Sequence, residues 1–323
     1  MSSRVPDPAG IFLPLRLAAA ALALALLVWP GRAPGAGSEK DVFSGERALE
    51  LVVAQCELGP RIPGSPGNAA LRRLIHDTAG RCGFPSREQC FPAVLPLTGD
   101  EVEICNVVVS IPGGGDGPGL WVGAHFDTRP HCDRDPDPAA RLEPLVGAND
   151  GASGVAVLLH LMEVLAGRVP PAGVELLFFD GEDAGLGGDP RGFCLGSGRM
   201  AESWGEFGSP LPQAAPRGLI LLDMVGDRDL LIPQEAYSLQ YAPEWTRTVF
   251  ERAQALGLDA FQPFPGPPVF DDHVPFLRRG IPALDLIDFD YRFWHTLEDT
   301  PNKCSAGSLA QVGSLVLDLI LTP

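Results

Sequence analysis

The sequence predicts an α/β fold: a mixed, mostly parallel central sheet flanked by helices on both faces. Two observations carry this. From Gly45 onward, short apolar runs of strand length alternate with helix-length segments, the pattern of parallel strands joined by crossover helices. Several of those runs end in Asp, Glu or His rather than in turn residues, which sets polar groups along one sheet edge, where open α/β sheets bind ligands.

The elements follow in order. Residues 48–58 and 68–82 read as helices, separated by the Gly/Pro-rich loop GPRIPGSPG at 59–67. NVVVSI at 106–111 and LWVGA at 120–124 read as strands, and the Gly-rich turn cluster at 113–119 makes them neighbours in the sheet. The segment 151–165, GASGVAVLLHLMEVL, is apolar nearly all round and reads as a buried helix. VELLFF at 174–179, GLILL at 218–222 and IPALDLI at 281–287 are further strands, and 245–256 and 308–321 are helices. No linker or repeat divides residues 45–323, which form a single expected domain.

Residues 1–36 stand outside that fold. Arg4 and Arg16 precede an unbroken apolar run at 17–29, and small residues with Pro30 and Gly31 follow. Thirteen apolar residues rise only about 20 Å as a helix, short of the roughly 30 Å bilayer core. The segment reads as a secretory signal peptide, with an uncleaved signal anchor as the alternative. Either way the expected location is exported, periplasmic or extracellular, with membrane contact only through this segment. Export permits disulfides. The seven cysteines leave at least one unpaired, and Cys82 with Cys90 is a possible local pair.

Composition excludes other classes. The chain of 323 residues carries 41 acidic and 24 basic side chains, a net charge of −17, which argues against nucleic-acid phosphates or an anionic membrane as partners. Hydrophobic residues at 45% rule out a disordered chain.

The chemistry-bearing residues collect where the strands end. LWVGA runs into His125 and Asp127, VELLFF into Asp180, Glu182 and Asp183, and GLILL into Asp223. Asp150 lies just before the buried helix, where its plain role is an N-cap, and His295 follows the last strand. Acids crowded at one edge need a cation among them, and two histidines with several carboxylates suit zinc, whereas calcium or magnesium prefers oxygen alone. Each residue alone has a plain structural reading: His125 as a structural histidine, and Asp127 and Asp180 as turn caps.

At this point the chain resembles metallopeptidase family 28. HFD at 125–127, GANDGASG at 147–154, FFDGED at 178–183, LLDMVGD at 221–227, DDHVPFLRRGIP at 271–282 and FWHTLEDT at 293–300 carry the likeness in series, and they look most like the glutaminyl-peptide cyclotransferase branch. The resemblance covers roughly residues 45–320 and implies a zinc-exopeptidase (phosphorylase/hydrolase-like) fold. In the two-metal aminopeptidases, it places His125 and Asp223 on one zinc, Asp183 and His295 on the other, Asp150 between them and Glu182 as general base. In the cyclotransferases, it implies one zinc on Asp150, Asp183 and His295. Asp223 then assists by hydrogen bonding, and Asp271 contacts the amine side of a peptide or protein N-terminus. The expected reaction turns an N-terminal glutamine into pyroglutamate and ammonia. The alternative is an aminopeptidase, and the third reading a binding ectodomain that has lost its ligands, which the intact ligand set opposes. Asp183 stands where many members have Glu, Phe270 where animal cyclotransferases have glutamine, and Asp285 where they have histidine.

Phe178, Phe179 and the nearby acids should raise the Glu182 pKa. Trp294 reads as a pocket wall or a core residue. The acidic loop with His131, Asp133, Asp135 and Asp137 reads as solvated surface or a weak calcium site. Arg278 and Arg279 read as members of structural ion pairs, His160 as a hydrogen-bonded core residue, His273 as a positioning residue near the site rather than a ligand, and Glu298 and Asp299 as residues that orient the His295 loop.

Overall fold

A computed structural model describes residues 42–187 and 189–322. The expected signal peptide or anchor at 1–36 lies outside the described residues. Chain order runs α1 (Gly45–Cys56), α2 (Pro66–Cys82), β1 (Ser86–Val94), β2 (Glu101–Ile111), β3 (Leu120–His125), α3 (Ala152–Leu165), β4 (Val174–Phe179), α4 (Leu195–Ser203) and β5 (Gly218–Asp223). It continues with β6 (Ile232–Gln234), α5 (Ala236–Tyr241), α6 (Pro243–Ala255), β7 (Phe261–Pro265), α7 (His273–Arg278), β8 (Ala283–Ile287) and α8 (Ala306–Leu321). All of these belong to one compact unit.

Six strands form the main sheet in the order β1-β2-β4-β3-β5-β8. β4, β3, β5 and β8 are parallel, while β1 and β2 form an antiparallel hairpin at one edge. The mixed, mostly parallel sheet is the expected one. Its side chains alternate between two cores, as the period of a strand requires. Leu176 and Phe178 of β4 join the larger core with α1, α2, α3 and α8. Leu177 and Phe179 join the smaller one, with Met200 of α4 and Phe276 of α7. Helices therefore cover both faces.

Two expectations need correction. β2 and β3 are not neighbours, because β4 inserts between them. The Gly-rich connection at 113–119 is long enough to step over a strand spacing of about 4.8 Å twice. Cys82 and Cys90 do not pair. Cys90 faces Cys105 across the β1–β2 hairpin and is joined to it, leaving Cys56, Cys82, Cys132, Cys194 and Cys304 free. β1 itself had no clear apolar signal: it is an edge strand of half-exposed residues containing Pro92, which only an edge tolerates.

Helix α3 positions the site most directly. All but one of its residues are buried, as expected. Gly154 lets it press onto the sheet, since a Cβ there would sit 2.2 Å from the Leu222 carbonyl oxygen. His160 bridges this helix to α1, accepting from Ser44 N–H at 3.1 Å.

Candidate metal centre

The ends of β3, β4 and β5 lie side by side, so the polar residues that follow them meet. Two sets of three side chains come within ligand reach of one another: His125, Asp150 and Asp223, and then Asp150, Asp183 and His295. All five are buried. The sequence expectation of one shared rim is met for each of them, with Asp150 common to both sets.

Asp150 does not cap α3. Gly151 takes the N-cap position with φ +95° and no side-chain cap bond, and a Cβ there would meet the Asp127 carbonyl oxygen at 2.8 Å. The Asp150 carboxylate is thus free to face the pocket. Its backbone is held by Asp299, whose two oxygens accept from Asn149 N–H at 2.9 Å and Asp150 N–H at 3.1 Å. Tyr291 donates to Asp299 at 2.7 Å. Asp127 plays the same part for the β4 turn, accepting from Glu182 N–H at 3.0 Å and Asp183 N–H at 3.2 Å. Asp180 caps further back, accepting from Asn68 and Cys105 N–H at 2.8 and 2.9 Å. Arg61, fully buried, ties the loop before Asp150 together by donating to the carbonyls of Phe126, Val146 and Gly147.

The two sets differ in how their ligand atoms are spent. His125 Nε2 lies 3.1 Å from Asp223 Oδ1 and 3.3 Å from Asp150 Oδ1. Burial opposes charge on this imidazole, but Asp223, Asp127 and Asp150 raise its pKa well above the ordinary value. The imidazole thus sits between carboxylates. The other oxygens are unspent. Asp150 Oδ2 and Asp183 Oδ2 are buried without a hydrogen-bond partner among the described residues. They lie 3.6 and 3.2 Å from His295 Nε2. Burial also opposes charge on His295, yet Asp183, Asp133 and Asp150 push it up to about 9. Two orphaned carboxylate oxygens converging on one imidazole nitrogen, all desolvated, are the donor set of a zinc site. The residues therefore fit the metal that the sequence implied.

A second ring of groups orients these ligands, and here the sequence reading fell short. Arg129 donates to Asp183 Oδ1 at 2.9 Å and to Asp133 Oδ2 at 2.6 Å. Asp133 Oδ1 lies 3.2 Å from His295 Nδ1. Burial works against its charge, but His295 and Arg129 hold the Asp133 carboxyl well below the usual range. Asp135, also buried, accepts from Leu297 N–H at 2.9 Å. Asp133 and Asp135 are therefore not solvated surface or calcium ligands: they form the seat of the His295 loop. The i,i+4 spacing of Arg129 and Asp133 was the only linear hint. A carboxylate behind a ligating histidine fixes its tautomer and direction. Asp133→Asn should therefore lower zinc affinity by about 10–100-fold with the fold unchanged, as chelator competition and circular dichroism would show.

A pocket of about 340 Å³ opens over the centre. Its lining joins Asp150, Asp183 and His295 to Glu182, Asp223 and Asp271, with Phe193, Phe270 and Trp294 as walls. Trp294 is half-buried, with its ring 4.1 Å from that of His295, so it is a pocket wall. Glu182, Cys194 and Asp271 offer atoms within 4.8 Å of one another. Burial, then Asp183 and Asp271, raise the Glu182 pKa well above the ordinary value. Burial and Asp223 push Asp271 up to about 7. Behind Asp271, His273 binds Glu235 at 3.2 Å and faces Asp285 at 3.8 Å. Three non-glycine residues among those described have positive φ, Cys194, Met224 and His295. All three adjoin this pocket or Glu182, where strained backbone commonly gathers.

The class follows from fold and site together: the chain belongs to Peptidase family M28, whose defining pattern matches residues 106–320. Within it, the chain is similar to the glutaminyl-peptide cyclotransferase-like protein of Mus musculus, 31% identical over 93% of this chain and 87% of the mouse protein. Among solved structures, the glutaminyl cyclase of Porphyromonas gingivalis superposes with a TM-score of 0.80 and 33% identity, covering 86% of this chain and 97% of that one. A Zn-dependent exopeptidase from Parabacteroides distasonis does so with a TM-score of 0.81 and 29% identity, covering 87% and 99%.

Proposed function

We propose that this chain is a zinc-dependent glutaminyl-peptide cyclotransferase that converts the N-terminal glutamine of peptides to pyroglutamate with release of ammonia. The observation that carries the reading is the convergence of two unspent carboxylate oxygens, Asp150 Oδ2 and Asp183 Oδ2, on His295 Nε2, beside Glu182 and Asp271. The relatives bearing the cyclotransferase name support it.

Zinc held by those three residues supplies a Lewis acid for the side-chain amide carbonyl of the substrate. Glu182, with its raised pKa, is suited to accept a proton from the substrate α-amine. That nitrogen bonds to the side-chain amide carbon, Glu182 returns the proton to the amide nitrogen, and the carbon–nitrogen bond to ammonia breaks. Asp271 and Asp223 orient the amine and the base. Trp294, Phe193 and Phe270 exclude water, which suits a reaction whose nucleophile is tethered to the substrate.

The second reading is a two-metal aminopeptidase, favoured by the other ligand set, His125, Asp150 and Asp223. In the cyclotransferase reading His125 and Asp223 serve as an ion pair beside the metal. Export through residues 1–36 remains part of the proposal, and the Cys90–Cys105 disulfide suits an oxidising compartment.

One assay separates the readings. Offered a glutamine-initiated peptide, the enzyme should release ammonia and leave chain length unchanged. Offered an aminoacyl amide without glutamine, it should release nothing, and a chelator should abolish turnover that zinc restores. A freed N-terminal residue would sink the cyclotransferase reading.

A further inference from the structure

A basic groove adjoins the reaction pocket. It has a volume of about 480 Å³ and is lined by Arg191, Arg199, Arg278 and Arg279, with Glu202 as the one acid in its lining. Pro190, Phe193 and Phe270 line both cavities, so the groove lies across a shared aromatic wall from the zinc ligands. Arg278 rests its guanidinium 5.2 Å over the Phe270 ring, next to Asp271 in sequence.

The expected structural ion pairs of Arg278 and Arg279 are not found among the described residues. Arg191 is engaged by Asp189 at 2.7 Å. Arg279 donates to the Trp204 carbonyl at 3.3 Å. Arg199, Arg278 and Arg279 are exposed and have no carboxylate partner among the described residues. In a chain with 41 acids against 24 bases, four arginines along one groove concentrate positive charge at a single place. The reason for the misreading is that adjacent Arg residues in an acidic sequence suggest local partners, whereas the fold turns both onto a groove that holds almost none. Uncompensated positive charge in a cleft attracts anions, and guanidinium matches a carboxylate with two parallel hydrogen bonds.

We propose that this groove is a subsite for acidic side chains of the peptide just behind its N-terminal residue. The enzyme thus favours substrates that continue in Glu or Asp. This rests on the cyclotransferase reading for what occupies the pocket, but the charge selection belongs to the groove.

The test uses the zinc-loaded full chain and three peptides that begin with glutamine and continue in glutamates, alanines or lysines. At low ionic strength, kcat/KM should be about tenfold higher for the glutamate peptide than for the alanine one, through KM, and the gap should shrink in high salt. The Arg199→Glu, Arg279→Glu double variant should reverse the order of the glutamate and lysine peptides. Equal kcat/KM across the three peptides, or a glutamate preference that survives the double variant, would overturn the subsite. If none of the three is cyclised, the proposed function falls instead. Calorimetric binding of the glutamate and alanine peptides then still decides the subsite: tighter, salt-sensitive binding of the first upholds it, and equal binding refutes it.

Discussion

Glu182→Gln should lose about 10²–10⁴-fold in kcat while keeping its zinc. The variant preserves shape and removes one of two pocket side chains, with Asp271, that have a raised pKa and stand outside both ligand sets. A glutamine there cannot take a proton from the amine or deliver one to the leaving ammonia. Because Glu182 does not contribute to the Asp150–Asp183–His295 convergence, metal content should stay at the wild-type level. Turnover and metal analysis on the same preparation check both halves. Near wild-type kcat would remove Glu182 from the mechanism, and loss of zinc would move it into the ligand set.

His295→Ala should lose both metal and activity. His295 supplies the nitrogen of the donor set, and its removal leaves Asp150 Oδ2 and Asp183 Oδ2 facing each other with no third ligand. It also frees Asp133, whose carboxyl is held ionised by His295 and Arg129. Zinc should be removed by dialysis where the wild type retains it, and added imidazole should restore part of the binding. Retention of zinc through dialysis would mean that His125 and Asp223 hold the ion.

Much of this site could be read along the chain, for a simple reason. The interior strands β3, β4 and β5 are apolar runs, and each stops where the sheet ends. The polar residues that close each run, His125, Glu182 with Asp183 just past Asp180, and Asp223, therefore had to share one rim. The fold class followed from the same alternation. What the chain hid depends on contacts between distant segments. Asp133 sits in a run of acids and prolines that resembles any solvated loop, and only packing against residues 293–299 gives it a function. The Cys90–Cys105 pair required knowing β1, whose polar edge character conceals it. The place of β4 between β2 and β3 is a long-range event that adjacency in sequence obscures. Arg278 and Arg279 belong with these, since composition does not show that Glu202 is the one acid among the described residues lining their groove.

The most direct test of the central claim is anomalous diffraction at the zinc absorption edge from crystals of the zinc-loaded enzyme. One strong peak is expected, bounded by Asp150, Asp183 and His295. A second peak of equal strength between His125 and Asp223, or no peak at the first position, would contradict it.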